Sequence, residues 1–376
     1  QKTAYEITYG DWSSDVCSSD LVSVIVGLLA FAAFGFTIDR VPTVGFDETI
    51  YASTAWSLVT DGSGVPTVLS DNLRIPSDLP FRGPVFHYLN AAAFKSFGLS
   101  TSVFRLSSLL GAMLLALSCT LLVRAVGGTV GSAAFYFAVV TLCPQIGSTA
   151  TLGRMDPLAT GLEVLGLVFL CKGFQNGPGD RSLSFGLAAG ICWSLAMLST
   201  PRSFPFIAAA AVGSLTLFRA PAAARRRDIV CVATASVVIA VAALAWSAAI
   251  GATPLSWISY ISALAAGDPL NASPLLGGTW NLTVVTFLNI TPIGIGLIIA
   301  IGVWATRKKA QGIPAFVWVA LIGNAMLTLA LISRQESYGI YWVIPFVPLA
   351  VARTGAALSD SSSVRGVRES LLGIWI

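Results

Sequence analysis

Apolar runs of membrane-spanning length recur from Leu21 to the end of the chain, and this recurrence restricts the architecture more than any other feature. They fall at about 21–38, 103–124, 128–147, 157–174, 183–199, 204–218, 229–251, 282–305, 314–332 and 340–357, separated by charge, Pro and Gly. Backbone polar groups in hydrocarbon must be satisfied within their own segment, so runs of this length are expected to be helices. The composition agrees. With 55% hydrophobic and 11% charged residues the chain is far from the roughly 25% charge of a soluble domain, which excludes a water-soluble globular protein. A net charge of +4, dispersed along the chain, excludes a nucleic-acid binder. The expected fold class is therefore an all-α polytopic membrane protein, a bundle of about 10–11 transmembrane helices.

The first 21 residues read differently from the rest. Gln1–Leu21 is polar and aperiodic, and it lacks the basic start and apolar core of a signal peptide. Its second half, DWSSDVCSSDL, back-translates without strain to a common sequencing-library adapter read in frame. Residues 1–21 are therefore expected to be an assembly artefact, the alternative being a polar cytosolic tail. The transmembrane catalytic domain is expected over 22–357. Residues 358–376 read as a cytoplasmic tail or the start of a further span.

Basic residues orient the bundle. One set of short loops holds Arg124, Lys172, Arg181, Arg219, Arg225–Arg227 and Arg307–Lys309, and is read as cytoplasmic. The alternate set holds Arg40, Arg82, Arg105, Arg154, Arg202 and Arg334 spread over far more sequence, together with most of the acids, and faces outward. The cysteines after residue 21 (Cys119, Cys143, Cys171, Cys192 and Cys231) all lie in spans, where they suit core packing and show no metal-ligand spacing.

The first outer loop, 39–102, is too long for a simple connection. Within it, apolar residues at 46, 50, 51, 55, 58 and 59 follow helical spacing, marking an amphipathic juxtamembrane helix headed by Asp47-Glu48. Helix capping and dipole complementation account for that acidic pair as well as catalysis does. A second short helix follows Phe81-Arg82-Gly83-Pro84 and contains His87 and Tyr88. Phe104-Arg105-Leu106-Ser107 then opens the second span. Arg82 and Arg105 could equally snorkel to headgroups. Arg154-Met155-Asp156 stands at the mouth of the fourth span, where such charges are expected to face a protein cavity, and Glu163 follows two turns deeper. Arg334 and Tyr338 precede an aromatic stretch ending in Pro345-Phe346-Val347-Pro348.

The order of these features is more specific than its parts. It resembles the bacterial branch of the protein O-mannosyltransferase and aminoarabinose (lipid A) transferase superfamily, membrane glycosyltransferases of the GT-C fold that use polyprenyl-phosphate sugars. The likeness covers roughly residues 22–357 and is strongest from Asp47-Glu48 to Arg105. It implies Asp47 as the catalytic carboxylate with Glu48 as its motif partner. It places Arg82, Arg154, Arg334 and Tyr338 at the donor phosphate, and Asp156, His87, Tyr88 and Arg105 in the cavity. Relatives often carry Glu-Lys-Pro-Pro where this chain has Phe81-Arg82-Gly83-Pro84.

The chemistry fits these residue types. A hydroxyl or amine attacking an anomeric carbon needs a base, which a carboxylate at the membrane mouth supplies. A departing phosphate is already anionic, so it needs cations, and arginine offers fixed bidentate donors. One carboxylate and one displacement imply inversion at the anomeric carbon. The outer loops hold no cluster at metal-ligand spacing and no convincing glycine-rich nucleotide fingerprint, so no metal or cofactor is expected. The expected partners are a polyprenyl-phosphate sugar donor, a lipid, glycan or protein acceptor, and the bilayer. The expected location is the bacterial inner membrane with the site facing the periplasm. The competing readings are a transporter or flippase for a lipid-linked glycan, and a structural membrane protein whose acids cap helices. Transporters often show internal repeats, and none is persuasive here.

Overall fold

The computed structural model describes residues 18–40, 44, 46–65, 83–175, 181–219, 222–253, 315–332, 347–349 and 351–352. Their regular structure is helical throughout: α1 Ser18–Thr37, α2 Phe46–Thr60, α3 Pro84–Phe97, α4 Thr101–Ala125, α5 Val130–Leu142, α6 Pro144–Thr151, α7 Asp156–Gln175, α8 Arg181–Ser199, α9 Phe204–Ser214, α10 Ala222–Ala249 and α11 Ala315–Ile332. Short 3-10 turns at Pro201–Ser203 and Leu215–Arg219 flank α9. Among the described residues five helices are long and apolar enough to cross a membrane, and α5, α9 with its following turn, and α11 are shorter apolar helices.

Several expected spans coincide with single helices, and three boundaries differ for physical reasons. The stretch expected as one span over 128–147 is two helices, because Pro144 cannot continue α5 and instead opens α6. α10 begins at Ala222, seven residues before the apolar run, since Arg225–Arg227 can extend a helix into water beyond the membrane. The run over 204–218 ends as a 3-10 turn from Leu215. The expected span at 282–305, and most of that at 340–357, lie outside the described residues.

The bundle is inside-out relative to a soluble protein. Large aliphatic side chains such as Leu28, Leu29, Leu110, Leu117, Val237, Val241 and Leu244 stand exposed on the spans, whereas Arg105, Arg154, Asp156 and Glu163 are buried among helices. Lipid can cover the first group but cannot satisfy the second, so polar groups must find one another inside. α4 lies against α7 and α5; α7 lies against α8; α8 against α10; and α9 against α11. The α4–α7 crossing is close because it uses reciprocal small residues: Gly111 abuts the backbone of Leu158, and Gly161 abuts that of Leu115.

The pair α2 and α3 lies over one end of the bundle, packed on each other, with α3 also against α4. Its apolar part is a small core of Ala55, Phe86, Phe94, Phe104 and Met155. Phe104 from α4 stacks on Phe94 at 6.1 Å and meets Phe86 edge-on at 5.9 Å. Besides Ile50, the remaining buried residues described on α2 are polar: Glu48, Ser53, Thr54 and Ser57. Thr54 and Ser57 bond back to carbonyls of their own helix, at 2.9 Å each. Glu48 must look elsewhere.

Candidate active site at one end of the bundle

Glu48 finds its partner 57 residues downstream. Arg105 donates from Nε to Glu48 Oε1 at 2.5 Å and from Nη2 to Oε2 at 2.9 Å, while its Nη1 donates to the Ile38 carbonyl at 2.8 Å. Arg105 is wholly buried and Glu48 is 3% exposed. This bidentate pair ties the first turn of α2 to the first turns of α4 and to the end of α1. Arg105 therefore does not snorkel to headgroups, and both oxygens of Glu48 are taken.

A second assembly lies beside the first. Asp156 opens α7 and accepts from two arginines: Arg154 Nε at 3.3 Å on Oδ2, and Arg202 Nη1 at 2.6 Å on Oδ1. Ser108 of α4 donates to the Arg154 carbonyl at 2.8 Å. The Arg154 guanidinium lies 5.5 Å from the centre of the Tyr51 ring, on α2. Below it lies the buried Glu163, and the Ser203 hydroxyl donates to the Ala196 carbonyl at 3.1 Å. Asp156 thus holds Arg202, on the 3-10 turn between α8 and α9.

Two glycines bring these parts together. Gly153, at φ +60°, turns the chain from α6 into Arg154, and a Cβ there would meet the Phe104 ring at 2.3 Å and Glu48 Oε1 at 3.1 Å. The two ionic assemblies are therefore neighbours, separated by the thickness of a glycine. Gly83, at φ +95°, precedes Pro84 of α3, and a Cβ there would sit 2.1 Å from the Ser199 carbonyl at the end of α8. Both combine a left-handed conformation with a contact that leaves no room for a side chain.

The other residues expected at the site divide. His87 is buried, with its ring 5.7 Å from that of Tyr51, so it borders the Arg154 cluster. Tyr88 does not: it is half-exposed and packs edge-on against Trp246 of α10 at 6.4 Å. Successive helical residues point about 100° apart, so neighbours in sequence part company here. Asp47 occupies the first turn of α2, one turn before Tyr51, and its side chain lies outside what is described. Arg82, Arg334 and Tyr338 lie outside the described residues. Sequence reasoning did not single out Arg202 or Tyr51. The available signal for Arg202 was a base between two apolar runs in a loop set expected to face outward, where short loops ordinarily avoid them.

A cavity of about 350 Å³ opens on another face of α2, lined among others by Thr49, Trp56, Phe94, Leu99 and Phe104, with Glu48 at its edge.

No family model matches the chain, and no curated protein matches it. Solved structures do. The crystal structure of ArnT from Cupriavidus metallidurans bound to undecaprenyl phosphate superposes with a TM-score of 0.67 at 16% identity, over 95% of this chain and 63% of ArnT. The archaeal oligosaccharyltransferase AglB from Archaeoglobus fulgidus, in complex with an inhibitory peptide and a dolichol-phosphate, superposes with a TM-score of 0.58 at 14% identity. That match covers 94% of this chain and 52% of AglB. The chain thus spans less than two thirds of either protein, and what it shares with them is the membrane GT-C fold.

Proposed function

We propose that this chain, with its GT-C fold, is a membrane glycosyltransferase that moves a sugar from a polyprenyl-phosphate donor to an acceptor hydroxyl or amine at the outer face of the membrane. One observation carries the reading. The helix turn bearing Asp47 is clamped by the buried Glu48–Arg105 pair, and Tyr51, one turn further on, carries the Arg154 guanidinium of a cluster with two cations and one anion. A carboxylate position and two guanidiniums held by Asp156 thus share one end of the bundle. ArnT bound to undecaprenyl phosphate, and AglB in complex with a dolichol-phosphate, support a lipid-phosphate donor.

In the proposed reaction the acceptor oxygen or nitrogen attacks the anomeric carbon and the bond from that carbon to the phosphate oxygen breaks. The acceptor proton passes to Asp47, and the polyprenyl phosphate departs with both electrons of the broken bond. A single displacement inverts the anomeric centre. Glu48, fully engaged by Arg105, acts by positioning and takes no proton. Arg82, Arg154, Arg334 and Tyr338 are assigned to the phosphate end, where fixed cations stabilise charge best in a water-poor site. The acceptor is a lipid, glycan or protein, and the site faces the periplasm of a bacterial inner membrane.

The test is Asp47→Asn. Purified protein is given a labelled polyprenyl-phosphate sugar and candidate acceptors, and products are read by mass spectrometry. The variant is expected to stay folded and membrane-inserted and to lose transfer. Wild-type turnover by this variant would remove Asp47 as base, and donor movement across vesicles without a covalent product would favour a flippase.

A further inference from the structure

The long helix α10 presents two unlike faces. Asp228, Cys231 and Ala235 are buried on one of them, where Cys231, Thr234, Ala235 and Val238 meet Gly186 and Gly190 of α8. The other is a single exposed stripe of Arg226, Val230, Ala233, Val237, Val241 and Leu244, set at steps of three or four residues. A guanidinium heads the stripe and everything after it is aliphatic. Near the other end of the helix Trp246 packs on Tyr88 of α3, so α10 starts at the end of the bundle opposite the candidate site. From Arg226 to Trp246 the helix rises about 30 Å, the thickness of the hydrocarbon core of a bilayer. Arg226 therefore stands at headgroup depth, with an aromatic residue at the opposite interface.

The neighbouring arginines differ in what they face. Arg227 is mostly buried and donates from Nε to Asp228 at 2.9 Å, whereas Arg226, one residue earlier, is exposed. A second exposed cation, Lys172, lies in the last turn of α7 at the same level, since its neighbour Gly173 abuts Cys231 Sγ. The aliphatic part of the stripe suits lipid chains better than another helix. Close approaches in this bundle use glycine, as at Gly111, Gly161, Gly186 and Gly190, and α10 contains none. Thr234 and Ser236 donate their hydroxyls to carbonyls of their own helix, at 2.8 Å and 2.9 Å. We propose that this face of α10 binds an anionic glycerophospholipid of the leaflet at that end, with its phosphate on Arg226 and an acyl chain along Val230, Ala233 and Val237. From Arg226 to Val237 the helix rises about 16 Å, half the hydrocarbon thickness, so a chain from one leaflet covers that stretch. The site is independent of the proposed reaction and lies at the far end of the bundle from it.

The test places the full chain in nanodiscs of phosphatidylcholine and phosphatidylglycerol in equal parts and counts the lipids it retains by native mass spectrometry. Wild-type protein is expected to retain phosphatidylglycerol in preference. Arg226→Ala is expected to lower that preference about fivefold, the effect of one cation at an anionic surface. Arg226→Lys, which keeps a charge at headgroup depth, is expected to preserve most of it. Lys95→Ala, which removes an exposed cation on α3 at the other end of the bundle, is expected to leave it unchanged. Should Arg226→Ala fail to insert, Arg226→Gln is read in its place. A wild-type protein without the preference, or an Ala or Gln variant that keeps it in full, would overturn the proposal. So would an equal loss in Lys95→Ala, which would make the preference a general effect of charge. Val237→Cys tests the stripe itself, because the cysteines described in the native chain are buried. Disulfide-linked dimers of that variant in the membrane would seat a second copy on this face and end the lipid assignment. Displacement of phosphatidylglycerol by undecaprenyl phosphate in wild type but not in Arg226→Ala would equally end it, by giving the face to an isoprenoid phosphate.

Discussion

Two buried ionic assemblies stand side by side at one end of this bundle, and they are built on different plans. Glu48–Arg105 is one to one, bidentate and closed, with exposures of 3% and 0%. Arg154–Asp156–Arg202 is two to one, singly bonded at each contact and open on the Arg202 side. A closed neutral pair has no capacity left for a ligand, so its contribution is to fix which helices meet and at what register. An assembly with a partly exposed guanidinium keeps N–H donors within reach of a solute. The contrast separates architecture from chemistry among residues that look alike in the sequence.

The largest effect is expected where the closed pair is broken on one side. Arg105→Ala would strand the Glu48 carboxylate in an apolar setting and should cost about 3–5 kcal/mol, as uncompensated buried charges do. The measurement is the unfolding midpoint in detergent beside that of Glu48→Met/Arg105→Leu, which removes both charges and is expected to recover most of the loss. A single variant no less stable than wild type would mean that the pair is not architectural. Next comes Gly83→Ala. Its Cβ would meet the Ser199 carbonyl at 2.1 Å from a left-handed backbone, so α3 must shift away from α8. Overpacking of this kind costs roughly 1–3 kcal/mol. The shift should disturb the Arg202 turn and donor binding while leaving Glu48 and Arg105 paired.

How far the sequence foretold this arrangement depends on the range of the interaction involved. Spans were legible because bilayer thickness imposes a length that apolar runs must match, and α4, α7 and α8 follow their runs closely. Pro144 announced the break between α5 and α6, but the apolar run on both sides of it outweighed that signal. At the site, Glu48, Arg105, Arg154 and Asp156 were each marked by charge in an apolar context. Their pairing was not legible, because nothing local encodes a contact between residue 48 and residue 105. Tyr51 counted only as part of an apolar stripe, yet its ring face serves a cation. The resemblance places Tyr88 beside His87 in the cavity, whereas successive residues of a helix point apart and Tyr88 meets Trp246.

Smaller effects test the open assembly. Arg202→Ala should change stability by only about 1 kcal/mol, since a partly exposed ion pair contributes little and Asp156 keeps Arg154. A loss as large as that of Arg105→Ala would place Arg202 in the architecture and erase the contrast. The finest probe is Tyr51, which joins the two assemblies by carrying Arg154 on the helix that Glu48 anchors. Tyr51→Phe keeps a ring under the guanidinium, whereas Tyr51→Leu keeps bulk and removes the ring quadrupole. A desolvated cation–π contact is worth about 0.5–2 kcal/mol, so Tyr51→Leu should unfold at a lower temperature than Tyr51→Phe by that margin. In an Arg154→Met background the difference should vanish, because no cation remains for the ring to face. A difference that persists there would assign Tyr51 to the aromatic core with Phe86 alone, and the two assemblies would then be coupled through Gly153 and the backbone.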